Sequence, residues 1–223
     1  VSVLGDLLLP ELTESQVRGH VRHIRYIVTR VLKLGLIFSV GVMGTLFRYG
    51  PQWGDVIYQD ASLGFYIRIF APLVLIMYMD ILVDGMLKGL GQQFASMGYN
   101  VVDSLSSVIM VAVFVPLWGI NGYILMVMLS ETLNFTLSIR RLSQVTDFDL
   151  TLFDGLIKPV LCVFAAMPAA QGLFHLCPLA LSPLWSLLFQ VALLLPCYGV
   201  FLCITSCLTK EDRQWLWSLF TRT

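Results

Sequence analysis

The sequence predicts an all-α, polytopic membrane protein: six spanning helices and one amphipathic helix on the cytoplasmic surface. Three observations carry this. Six apolar stretches, at about 29–47, 63–83, 101–118, 120–139, 157–173 and 184–207, each approach the ~20 residues that cross a ~30 Å hydrocarbon layer. Hydrophobic residues make up 57% of the chain and charged residues 13%, about half the share of a soluble domain. The basic residues also gather at alternate ends of the stretches. A soluble helix shows an apolar stripe, not twenty apolar residues in a row.

Residues 1–10 read as the end of a preceding transmembrane helix, stopped at Pro10. Residues 11–28 read as an amphipathic interfacial helix. Val17, Val21, Ile24 and Val28 make one narrow stripe, and Arg18, Arg22 and Arg25 another. Such a helix lies among the headgroups with its cations toward anionic membrane lipids. It serves either as a lever into the first span or as a plain connector. Residues 29–145 read as a four-helix part, 146–208 as two peripheral spans, and 209–223 as a cytoplasmic tail.

Charge sets the orientation. Arg18, Arg22, Arg25, Arg30 and Lys33 precede or open the first span, and Lys88 follows the second. Arg140, Arg141 and Lys158 lie between the fourth and fifth, and Lys210, Arg213 and Arg222 lie in the tail. With alternating spans these twelve share one side, which the positive-inside rule makes cytoplasmic. Both ends of the chain are then cytoplasmic. The opposite side carries Arg48 in a loop over 48–62, a tight turn built on Gly119 and Asn121–Gly122, and a loop over 175–183. Prolines 72, 159, 168 and 196 should weaken or kink their helices.

Ionisable groups within spans are expensive and mark function. Asn100, Asp103, Ser104 and Ser107 form one polar face of the third span, and Glu131, Asn134 and Ser138 one face of the fourth. The hydroxyls and amides serve inter-helix hydrogen bonds or line a wet cavity, whereas Glu131 points to function. Arg68, two turns into the second span, has two readings: it holds an anionic substrate group, or it snorkels outward or pairs with Glu131 or Asp60 as a structural link. Asp80 and Asp84, four apart on one helix face near Lys88, read as a solvated helix end, with acid–base work or a cation site as the other reading. Gly85, Gly89 and Gly91 form a flexible elbow. The cysteines suit packing. No catalytic, metal or nucleotide motif appears, so no enzyme, cofactor, resident metal or nucleic-acid partner is expected.

The run Leu7-Leu8-Leu9-Pro10-Glu11-Leu12-Thr13-Glu14 resembles a helix end of the multidrug/oligosaccharidyl-lipid/polysaccharide exporter superfamily. The stretch Gly89-Leu90-Gly91-Gln92-Gln93, Tyr99-Asn100, Asp103-Ser104, then Pro116-Leu117-Trp118-Gly119-Ile120-Asn121-Gly122-Tyr123, is similar to its stage V sporulation protein B branch of polysaccharide-biosynthesis flippases. The likeness continues through Asn134 to Arg141-Leu142 and covers about 5–145.

This resemblance implies a fourteen-helix, two-lobe fold with alternating access. The chain would supply its C-terminal part, and the N-terminal lobe would be a missing partner. The implied substrate is an undecaprenyl-pyrophosphate-linked saccharide, a lipid-linked oligosaccharide, moved across a bacterial cell membrane. Arg68 would read the pyrophosphate, and the last two spans would hold the lipid tail. The alternatives are a cation-coupled multidrug exporter, with Glu131 at its site, and a non-transporting envelope or sporulation factor. The candidate site is Arg68, Glu131, Asn134, Asn100, Asp103 and Ser107.

Overall fold

The computed structural model describes residues 12–148, 153–176 and 182–208. These form a short helix α1 (12–17), then α2 (Val21–Trp53), α3 (Ala61–Gly89), α4 (Gln93–Trp118), α5 (Ile120–Thr146), α6 (Lys158–Leu176) and α7 (Pro183–Ile204). Two π-helical turns, Gly54–Tyr58 and Phe153–Ile157, extend α2 and lead into α6. The six long helices are each long and apolar enough to cross a membrane, so the protein is a multi-pass membrane protein. The expected preceding helix over 1–10, the middle of the loop over 175–183 and the tail over 209–223 lie outside the described residues.

The chain divides into two compact units, Val1–Gly35 with Ile76–Asp149, and Leu36–Leu75 with Leu150–Thr223. The boundaries fall inside α2 and α3. This differs from the sequence reading, which set 29–145 apart from two peripheral last helices. The reason lies in α2. Its later half carries Gly41 and Gly44, which meet the Tyr198 ring of α7 and the Val163 side chain of α6. Helices α6 and α7 therefore share a buried core with Ile37, Val40 and Tyr49. Tyr198 adds a polar tie: its hydroxyl donates to the Ile37 carbonyl at 2.9 Å.

In the first unit the amphipathic helix expected over 11–28 is broken. Gly19 adopts φ +68°, a left-handed value that glycine tolerates, and His20 N–H returns to the Ser15 carbonyl at 3.0 Å. The apolar stripe runs through this break, so the stripe alone did not reveal it. Leu12 and Ser15 are buried, and Thr13 Oγ1 donates to the Gly89 carbonyl at 3.1 Å, which ties α1 to the end of α3. Arg30, expected as a flanking cation, is buried inside α2 with its guanidinium over the Tyr26 ring.

The elbow after α3 is a compact cap. Gly91 has φ +68°, and Gln92 N–H reaches back to the Leu87 carbonyl at 2.8 Å. The turn between α4 and α5 shrinks to Gly119 alone, at φ 57° and ψ −130°. Gly122 lies inside α5, where a Cβ would collide with the Phe114 carbonyl; its bare backbone lets the hairpin close.

In the second unit the loop expected over 48–62 is largely helix. Only Gln59 and Asp60 separate the π-turn from α3. Asp60 caps α3 by accepting from Ser62 N–H at 2.9 Å and from the Ser62 hydroxyl. These bonds, the hydroxyl's first, hold its carboxyl below the usual carboxylate range. The cap is therefore in place above that range and is lost as pH falls through the lowered value. Pro72, Pro168 and Pro196 lie inside helices that continue through them.

Two outcomes test this fold. Gly122→Ala should destabilise the detergent-solubilised protein by about 1–3 kcal/mol through forced separation of α4 and α5. Gly98→Ala, with nothing within 4 Å of its added Cβ, should be neutral or stabilising; thermal unfolding compares them. With native cysteines replaced, thiols at Gln93 and Asn121, near opposite ends of α4, should react with an impermeant reagent from opposite faces of the membrane. Equal labelling of both from one face would exclude a spanning α4.

Candidate functional site

The polar residues of α3, α4 and α5 collect in one seam of the first unit. Asp80 and Asp84 come from α3, Ser96, Asn100, Asp103 and Ser107 from α4, and Ser130, Glu131, Asn134 and Ser138 from α5. Their spacing explains the convergence. On α4, positions 96, 100, 103 and 107 recur every three or four residues, as do 130, 134 and 138 on α5, so each set keeps to one helix face. Ser130, Asn134 and Ser138 are buried, as is Ser96.

Asn134 is the hub. Its Nδ2 donates to Asp80 Oδ2 at 3.1 Å and to Asn100 Oδ1 at 3.4 Å. One turn away, Ser130 donates to Asp103 Oδ1 and lies 2.5 Å from the Ser107 hydroxyl. Glu131 is half-buried beside Asp103 and near Asp80, and no described residue donates a hydrogen bond to it. At the elbow end the charges are matched. Asp84 accepts from Ser96 and pairs with Lys88 at 2.6 Å, and Arg141 holds Gln92 Oε1 through Nε and Nη2 at 3.2 and 2.7 Å.

Deeper in the seam the balance changes. No Lys or Arg among the described residues pairs with Asp80, Asp103 or Glu131. Among the described residues two buried acceptors, Asp80 Oδ1 and Asn134 Oδ1, have no donor in hydrogen-bond geometry, although the Ser138 hydroxyl stands close to the Asp80 carboxyl. A buried acceptor without a donor is destabilising, and more so when it carries charge. Carboxylate, amide and hydroxyl oxygens converging with excess negative charge suit a proton or a small hard cation. No group of three or more His, Cys, Asp or Glu side chains with metal-holding geometry occurs among the described residues.

Of the residues named from sequence, Asn100, Asp103, Ser107, Glu131 and Asn134 share this seam. Ser104 turns away and bonds the Asn100 carbonyl of its own helix at 2.8 Å. Arg68 belongs to the second unit, where it makes no ion pair with Asp60 or any other acid of that unit among the described residues. Its Nε donates to the Phe47 carbonyl at 3.1 Å, and its guanidinium lies 5.2 Å from the Phe47 ring centre. Sequence reasoning favoured a solvated helix end for Asp80 over the cation or acid–base site that its pairing with Asp84 also suggested. The available signal was depth: Asp80 stands nine residues before Gly89, about 13 Å from that end.

The second unit also has an apolar groove of about 500 Å³ between α2 and α3, lined by Leu46, Tyr58, Leu63, Tyr66, Ile67, Phe70 and Val74. It contains no ionisable carboxylate or base. No family model, curated protein or solved structure matches the chain.

Ser130→Ala should leave Asp103 short of a donor and cost about 1–3 kcal/mol in thermal unfolding. Thr132→Ala, on the exposed face of the same helix, should change stability by less than about 0.5 kcal/mol.

Proposed function

We propose that this chain is the C-terminal part of a bacterial multi-pass exporter of a lipid-linked saccharide. The α3–α5 seam takes up a proton or monovalent cation that couples to alternating access. The observation that carries the proposal is the pair of buried oxygens, Asp80 Oδ1 and Asn134 Oδ1, that find no donor in hydrogen-bond geometry among the described residues, in a seam whose acids no described Lys or Arg pairs with. A proton on Asp80 turns an orphan acceptor into a donor, and a small cation shared by the two oxygens meets both. Either one changes the charge of the surface where three helices pack. A ligand that prefers one arrangement of those helices over another shifts the balance between them by its differential affinity. The same seam supports the reading as a cation-coupled drug exporter. The similarity of residues 89–123 to polysaccharide flippases favours the saccharide as cargo.

Transport by the full-length protein in proteoliposomes decides the matter, with a lipid-linked saccharide as cargo under imposed proton or sodium gradients. One of the two gradients should accelerate the wild type, and Asp80→Asn should reduce that acceleration at least about tenfold, the scale of one charge-assisted contact. A rate indifferent to both gradients, with Asp80→Asn equal to wild type, would sink the coupling role. Acceleration of a cationic drug with none of the saccharide would move the assignment to the drug-exporter reading.

A further inference from the structure

We propose that Arg68 holds the phosphate of a membrane phospholipid in the leaflet at the Gln59 end of the α2–α3 hairpin. This inference does not depend on the coupling seam.

Pro51 lies inside α2. Proline has no N–H, so the Phe47 carbonyl four residues earlier lacks its helical donor. Arg68 Nε supplies one at 3.1 Å, and the Phe47 ring packs against the guanidinium. Two contacts thus fix the plane of an otherwise flexible side chain. Phe47 is in turn set edge-on to Phe164 of α6, with ring centres 6.4 Å apart.

The fixed guanidinium is exposed, and its terminal nitrogens have no partner among the described residues. The acids at this end of the hairpin do not neutralise it. Asp60 is engaged with Ser62, and Asp55 makes no ion pair among the described residues. A cation in a spanning helix that lacks a protein counter-charge finds one at the bilayer interface.

Depth supports the same partner. Helix α3 has 29 residues, about 43 Å of helix, against a hydrocarbon layer of about 30 Å. Centred, it overhangs by about 6 Å at each end. Arg68 is seven residues past Ala61, about 10 Å along, so its backbone lies some 4 Å inside the hydrocarbon edge. That is within snorkelling reach of the lipid phosphates. Two parallel N–H groups facing outward match two phosphate oxygens.

The test separates this role from the repair of α2. In a Pro51→Ala background the residue 51 N–H can serve the Phe47 carbonyl, so Arg68 can be removed without orphaning it. Native mass spectrometry of the full-length protein would measure, in parallel, retention of phosphatidylglycerol, of diacylglycerol, which lacks phosphate, and of a lipid-linked pyrophosphate saccharide. Relative to Pro51→Ala, the double variant Pro51→Ala/Arg68→Gln should bind phosphatidylglycerol about tenfold more weakly, the equivalent of one charge-assisted pair. Diacylglycerol retention should not change. Equal phosphatidylglycerol retention in the two proteins overturns the proposal. So does an Arg68-dependent loss confined to a lipid-linked pyrophosphate saccharide, which would make the anion cargo and not a boundary lipid.

Discussion

In hydrocarbon no water rescues an unpaired backbone group, and this constraint runs through the whole chain. Regular helix meets it along most of α2 to α7. The informative places are those where the helix cannot. Pro51 removes a donor, and a side chain from α3 replaces it. The π-turn at Gly54–Tyr58 changes the helical register before the chain reverses, and Asp60 then satisfies the first turn of α3. Serine and threonine hydroxyls at Ser39, Thr45, Thr132, Thr136 and Thr146 return to carbonyls of their own helices. Such self-satisfied hydroxyls can sit among lipid or apolar side chains at little expense. That distinguishes them from the serines of the α4–α5 seam, whose bonds run to other helices.

Close approach is the second consequence of an apolar solvent. Lipid chains are as oily as leucine, so helix pairs gain mainly from intimate contact. Glycine supplies it where the chain turns back on itself. Gly122 admits the Phe114 carbonyl, Gly35 the Leu82 side chain, and Gly41 and Gly44 the side chains of α7 and α6. Near the α2–α3 reversal, Gly50, Gly54 and Gly64 bring backbone to backbone. The contacts of α2 with α6 and α7 explain why helices that look peripheral in sequence share one core with the later half of α2.

The spans were legible because hydropathy over twenty residues is a strong signal and nothing local competes with it. The turn at Gly119 was legible because glycine there answers a backbone demand. The gathering of Asn100, Asp103, Ser107 and Asn134 was legible from helical spacing. Other features were not. The break at Gly19 is hidden by an apolar stripe that continues in phase across it. The fate of Arg68 depends on a proline 17 residues earlier and on a carbonyl 21 residues earlier, a relation that no period of a single helix encodes. The weight given to a solvated end for Asp80 came from nearby Lys88, while the eight residues between it and Gly89 already placed it inside the bundle. Intermediate burial and its bond to Asn134 follow from that depth.

The seam and the hairpin end show two ways of keeping charge in a membrane protein. Around Asp84 and Gln92 the chain supplies its own complement in Lys88 and Arg141, and the result is a fastening at the elbow. Around Asp80, Asp103 and Glu131 it supplies hydroxyls and amides but no cation among the described residues. Structure alone does not require this, because a hydrophobic trio of similar size would pack α3, α4 and α5 with less electrostatic penalty. In the proposed role, the positive charge that the described residues do not supply is the proton or small cation that the seam takes up and releases.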